Sequence, residues 1–227
     1  MATFYSPTVV TTGLIACYDA ANVRSYPGSG TSWFDLSGLG NTLTINGSAT
    51  TSTMGGATAF NLDTDGKYFT GTLSGTMPAT NATLEAWIYP AASEVTSGDR
   101  GAIILLNGVS GIYMSWNKSN GYLSNYWYSH SPEGYHETNG PSSRGAWTHW
   151  CSVWNNSDGK LYQYVNGTVN NATTSGNSST GTNLAIGREG SSRQFSGGIG
   201  VIRIYNTALT SAEVQQNFNT LRKRFGV

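Results

Sequence analysis

The stretch Gly197–Phe225, GGIGVIRIYNTALTSAEVQQNFNTLRKRF, compresses a strand, a corner and a helix into one short segment. In Ile199–Tyr205 the density of β-branched residues predicts a strand buried on at least one face, with Arg203 sharing a face with Val201 and Tyr205. Asn206 ends it. Thr210-Ser211-Ala212-Glu213 reads as a capping box, the threonine hydroxyl accepting from the third-position amide while the glutamate reaches back to the cap amide. Leu209 and Val214 occupy hydrophobic-staple positions. Val214, Phe218, Leu221 and Phe225 then recur at helical spacing and lay one apolar stripe along about three or four turns. Arg222, Lys223 and Arg224 complement the negative end of the helix dipole, and Gly226 stops the helix.

Working outward, the composition predicts an all-β chain. Charged residues are only 11% of the 227, while Gly, Ser, Thr and Asn abound, as in proteins made of many short strands joined by tight polar turns. Twelve basic and twelve acidic residues cancel, so no long-range field would hold the chain on nucleic acid or an anionic membrane. Cys17 and Cys151 lie in strand-like segments without zinc-site spacing and are expected as buried, reduced thiols. The first residues, MATFYSPTVVTTG, have neither a basic start nor an apolar core of the signal-peptide kind, and the longest apolar run, Ala102–Leu106, is too short to span a bilayer. A protein made in a reducing compartment is expected, with no nucleic-acid partner and no membrane insertion.

Residues 1–12 read as an N-terminal arm or edge strand and 13–227 as a single β-sandwich domain, with no repeat or low-complexity linker to divide it. Strands are predicted at Leu14–Asp19, Leu43–Asn46, Ala57–Leu62, Tyr68–Thr70 and Thr83–Tyr89. The last alternates Leu84, Ala86 and Ile88 against Glu85, Trp87 and Tyr89; bulk on both faces makes it a central strand. Ala102–Leu106 pairs with Ile112–Trp116, Tyr122–Tyr128 follows, and residues 130–144 read as a long polar loop. Trp147–Trp154 and Leu161–Val165 form a hairpin over Asp158-Gly159, followed by a short return and by Thr182–Gly187.

The order of TLEAWIYP, WTHWCSVWNNSDGKLYQYVNG and LAIGREGSSRQFSGGIGVIRIYNTALTSAEV resembles the concanavalin A-like lectin/glucanase superfamily in its laminin-G-like form, over about residues 13–225. The resemblance implies an all-β, two-sheet antiparallel jelly-roll sandwich of about 12 to 14 strands with a short C-terminal helix. GLIACYDAANVRSYPGSGTSWFDLSG and QQNFNTLRKRFG are similar to versions carried on structural proteins of tailed bacteriophages, which implies a virion surface location after assembly in the host cytoplasm.

Glucanases of that superfamily set two glutamates on one strand, spaced E-x-D-x-x-E. That string does not occur here, so no enzyme and no catalytic residue is expected. Relatives that bind calcium do so near a D-x-S-G-x-G-N segment, matched by Asp35–Asn41, which makes Asp35 the candidate calcium ligand. The competing reading is a plain Asp-Ser-Gly turn in which Asp35 bonds its own backbone. Otherwise no cofactor is expected. The densest aromatic region supplies the candidate carbohydrate contacts Trp116, Tyr126, Trp127, Tyr128, His130 and Tyr135, since sugar rings stack on aromatic planes while Asn and Ser bond their hydroxyls. The same aromatics could instead fill the core or hold a neighbouring subunit. His149 is expected as a structural histidine. The function expected is a lectin-like decoration protein in many copies or as a homo-oligomer, whose partners are other virion proteins and cell-surface glycans.

Overall fold

A computed structural model describes residues 8–74, 81–107, 112–127, 134–174 and 181–227. Its strands begin with Leu14–Asp19 (β1), Ser32–Trp33 (β2), Leu43–Asn46 (β3), Thr51–Met54 (β4), Ala57–Leu62 (β5), Tyr68–Thr72 (β6), Asn81–Pro90 (β7), Arg100–Asn107 (β8) and Ile112–Asn117 (β9). They continue with Leu123–Trp127 (β10), Gly134–Glu137 (β11), Thr148–Asn155 (β12), Lys160–Val165 (β13), Thr168–Thr174 (β14), Asn183–Ile186 (β15), Arg188–Glu189 (β16), Arg193–Gln194 (β17) and Gly197–Tyr205 (β18). Among the described residues one helix, Ser211–Phe225 (α1), follows β18.

These strands form a two-sheet jelly-roll sandwich. An eight-stranded sheet runs β14-β13-β12-β7-β18-β5-β4, with β1 also paired to β18. It faces a ten-stranded sheet that runs β11-β10-β9-β8-β15-β6-β3-β2. Alternation sends Leu84, Ala86 and Ile88 of β7 and Ile202 and Ile204 of β18 into the core between the sheets, against Phe69, Ile104, Met114 and Leu184. Strand β7 is central, as its two bulky faces require.

The outer face of the eight-stranded sheet is roofed by α1. The capping box forms as the sequence predicts: Glu213 N–H donates to Thr210 Oγ1 at 3.3 Å and Thr210 N–H donates to Glu213 Oε2 at 2.8 Å. Phe225 stacks on Trp87 with ring centroids 4.3 Å apart, and Phe218 does so at 5.8 Å. Each such ring removed from water contributes roughly 1.5–3 kcal/mol. Gly200 makes the fit possible, because a Cβ there would lie 2.8 Å from Phe225 Cε1.

Beneath the helix runs a buried polar row. Cys17, Arg203, Glu85 and Cys151 stand side by side on β1, β18, β7 and β12. Both thiols are free; Cys151 is buried, as expected, whereas Cys17 is half-buried. Glu85 bonds the Arg203 guanidinium through Oε1 and accepts from Asn217 Nδ2 at 2.8 Å through Oε2. His149 Nε2 lies 3.2 Å from Glu85 Oε1, with both side chains buried. Burial pushes the Glu85 carboxyl up; the Arg203 charge and the His149 and Asn217 contacts more than reverse this and hold it at about 2. Asn217 Oδ1 also accepts from Val10 N–H at 2.9 Å, while Tyr205 Oη donates to Val10 O at 3.1 Å. Residues 8–12 of the predicted arm are therefore docked on this face without joining a sheet. Residues 1–7 lie outside the described residues.

Two expectations need correction. The strand count among the described residues is eighteen, because β4 and the two-residue β2, β16 and β17 carry too little apolar pattern to be read. Within the segment read as a loop, Gly134–Glu137 is a strand, β11, paired to β10 from Ser124–Glu137 to Trp127–Gly134. Its sequence GYHE has no apolar alternation; it is held by backbone pairing and by side-chain bonds to Glu137.

Candidate functional site

Among the described residues, no helix covers the outer face of the ten-stranded sheet. Register places Thr44, Thr70, Ala185 and Leu105 side by side across β3, β6, β15 and β8. The row continues through Tyr113 on β9, Tyr126 on β10 and Tyr135 on β11. Directly paired residues share a face, so seven strands contribute to one outward row.

Part of this face is a trough. Leu105 and Ala185 floor two adjoining open depressions, one of about 410 Å³ that reaches Thr44, Thr70, Thr72 and Asn183, the other of about 450 Å³ that reaches Tyr68, Arg188 and Ser191. The second is walled by the β16–β17 hairpin, which joins β8 through the parallel pairing of Gln194 with Ala102. Arg188 is fixed there by Asp65 at 3.3 Å and donates to the carbonyls of Gly190 at 2.6 Å and Ser191 at 3.3 Å. Arg193 bridges Glu189 at 3.1 Å and Asp99 at 3.2 Å.

Beyond the hairpin lies an aromatic end. Tyr126 and Tyr135 are half-buried, with ring centroids 4.7 Å apart. The Arg100 guanidinium lies 3.5 Å above the Tyr135 ring and donates to Ser124 Oγ at 2.6 Å and Glu137 Oε1 at 3.1 Å. Asn117 Nδ2 donates to the same Glu137 oxygen at 2.9 Å. Burial pushes the Glu137 carboxyl up, but the bonds from Asn117, Arg100 and Ser124 outweigh it and leave it below the usual carboxylate range. Glu137 is thus held ionised, the opposite of what a general acid needs. Burial also raises the Tyr135 phenol.

The structure brings Tyr126 and Tyr135 together and separates Trp116 from them. Trp116 is 1% exposed and belongs to the core between the sheets. The reason is alternation along β9: Tyr113 and Ser115 point outward, so Ile112, Met114 and Trp116 point in. This removes Trp116 from the surface contacts. Tyr128, His130 and the side chain of Trp127 lie outside the described residues. Asp35 is ringed by donors: Oδ1 accepts from the amides of Cys17 at 2.9 Å and Ser37 at 2.8 Å, Oδ2 from Ser37 Oγ at 2.6 Å and the Asn41 amide at 3.1 Å. That set organises a turn and does not fit a calcium ligand, which needs converging acceptor oxygens. Sequence reasoning missed Leu105, Ala185 and the threonines. Ala102–Leu106 reads as uniformly apolar, and only the register reveals which members face out.

The family model described as the concanavalin A-like lectin/glucanases superfamily matches residues 62–215. No curated protein matches the chain. Among solved structures, the receptor binding domain of botulinum neurotoxin C/D mosaic serotype is 14% identical, with a TM-score of 0.68 over 92% of this chain and 51% of that one. The botulinum neurotoxin serotype D ligand binding domain in complex with N-acetylneuraminic acid is also 14% identical, with a TM-score of 0.69 over 92% and 51%. Domain 4 of AbnA, an extracellular arabinanase from Geobacillus stearothermophilus, in complex with arabinotriose, is 20% identical, with a TM-score of 0.67 over 90% of this chain and 97% of that one. The chain thus spans about half the length of the neurotoxin domains. With its two-sheet jelly roll and a family match over more than half its length, the chain belongs to the concanavalin A-like lectin/glucanase superfamily.

Proposed function

We propose that the chain is a non-enzymatic, lectin-like domain carried in many copies on a virion surface, where it holds glycans of a host or its surroundings weakly and reversibly. The observation that carries this reading is the outward trough, whose floor mixes apolar Leu105 and Ala185 with the hydroxyls of Thr44, Thr70 and Thr72; the Tyr126–Tyr135 pair lies farther along the same face, beyond the buried Tyr113. Sugars present C–H faces and hydroxyls together, and such a surface meets both. Single shallow sites of this kind bind weakly; display in many copies raises avidity without new contacts. Two solved structures of the same fold, an arabinanase domain with arabinotriose and a neurotoxin domain with N-acetylneuraminic acid, support a sugar ligand.

Charge placement supports binding without hydrolysis. Glycoside hydrolysis needs a carboxyl group kept protonated beside an ionised one. Here Glu137 is held ionised, and Glu189 and Asp99 share the Arg193 guanidinium. The virion setting, with assembly in the host cytoplasm beside other virion proteins, rests on the phage-like stretches at either end of the chain. A glycan array probed with multimerised protein tests the reading: retention of particular glycans, reduced by Tyr135→Ala, is expected, and a blank array would overturn it.

A second reading, a structural cement module, is favoured by one observation. Val23, Phe34 and Leu39 are 75%, 44% and 52% exposed on the turn-rich segment that follows β1. Imaging of the assembled particle separates the readings by showing which face a neighbour occludes.

A further inference from the structure

We infer that the trough takes an electrically neutral, hydroxyl-rich chain lying across the strands, an uncharged oligosaccharide and not an acidic one; this rests on the glycan-binding reading above. The guanidiniums described on this face, Arg188 in the trough wall and two farther along, already have carboxylates. Arg188 has Asp65, Arg193 has Glu189 and Asp99, and Arg100 has Glu137. Arg188 is further spent on two backbone carbonyls. A carboxylate- or sulfate-bearing sugar would meet no uncommitted cation among the described border residues, and would approach Asp65 and Glu189 against like charge. A cationic ligand would have to break the same pairs.

What the trough offers openly is neutral. Thr44, Thr72 and Asn183 are exposed, and hydroxyl and amide groups both donate and accept, as sugar hydroxyls do. The row from Thr44 to Leu105 crosses three strand spacings, about 14 Å. That length suits a short chain of rings, with its apolar faces on Leu105 and Ala185 and its hydroxyl edges toward the threonines.

Isothermal titration of the full chain with neutral gluco- and arabino-oligosaccharides, and with uronic-acid oligosaccharides of equal length, at about 0.05 and 0.5 M salt tests this. Expected are binding of a neutral series with less than about twofold change in Kd between salts, and acidic series at least about tenfold weaker. Ala185→Trp, which fills the floor, should weaken neutral binding by at least about tenfold; Thr70→Arg on β6 is the second blocking variant should the first not fold. Tighter, salt-sensitive binding of the acidic series, lost in Arg188→Ala, would overturn the neutral assignment and leave the glycan reading standing. Neutral binding that survives both blocking variants would place the site elsewhere and also overturn it. Binding of none of these sugars, together with a blank array, would remove the glycan reading and this inference with it.

Discussion

Glu85 and Arg203 stand directly opposite each other on β7 and β18, joined carboxylate to guanidinium and only 1% and 3% exposed beneath the C-terminal helix. Asn217 reaches down from α1 to the same carboxylate and out to Val10, so one buried ion pair ties two central strands, the helix and the N-terminal segment together. Removing one partner strands the other charge in the interior. Glu85→Gln is expected to cost about 3–5 kcal/mol in urea unfolding. A loss below about 1 kcal/mol would show that the pair is not a structural centre.

The same carboxylate sets an acid limit. Its folded value of about 2 lies below the ordinary 4.5, so the stability it confers is complete above the latter and is lost as pH falls toward the former. Unfolding midpoints of the wild type should therefore decline between those pH values, and those of Glu85→Gln should decline less steeply.

Gly200 sits where the β18–β7 register shifts, under Phe225 and Trp147. Any side chain there drives into the helix. Gly200→Ala is expected to cost roughly 1–3 kcal/mol and to hasten proteolysis near Phe225. Unchanged stability and protection would mean that α1 rides free of the sheet.

Trp116 and Tyr135 should separate packing from binding. Trp116→Ala empties the core and should cost about 3–5 kcal/mol. Tyr135→Ala, on the half-buried edge, should lower glycan retention with a smaller effect on thermal unfolding. Equal effects on both measurements for the two variants would contradict the division of faces.

The closing strand and capped helix were legible because their signals are local: a β-branched run, Thr210 three residues before Glu213, and an apolar stripe ending at Gly226. The trough was not. Its floor comes from Leu105 and Ala185, neighbours only through strand pairing, and register across distant segments leaves no mark in either stretch. Trp116 was misplaced for the same reason, since alternation fixes which residues share a face but not which face looks inward. Asn217, polar within an apolar helix stripe, became intelligible only once Glu85 was seen below it.

Asp35 gives a prediction about metal. Its oxygens serve four donors, so chelation by EDTA should leave the melting temperature unchanged, while Asp35→Ala should lower it by loosening the 35–41 turn. A chelator-induced drop restored by calcium would contradict this.

The central claim is that sugar binds on the outer face of the ten-stranded sheet, and backbone amide shift mapping by NMR tests it most directly. Titration with a glycan retained on the array should move the resonances of Thr70, Leu105 and Ala185 in the trough, with those of Tyr126 and Tyr135 at the aromatic end of the same face. Shifts confined to the helix-covered face around Trp87 and Asn217, or to the Val23–Leu39 turns, would contradict it.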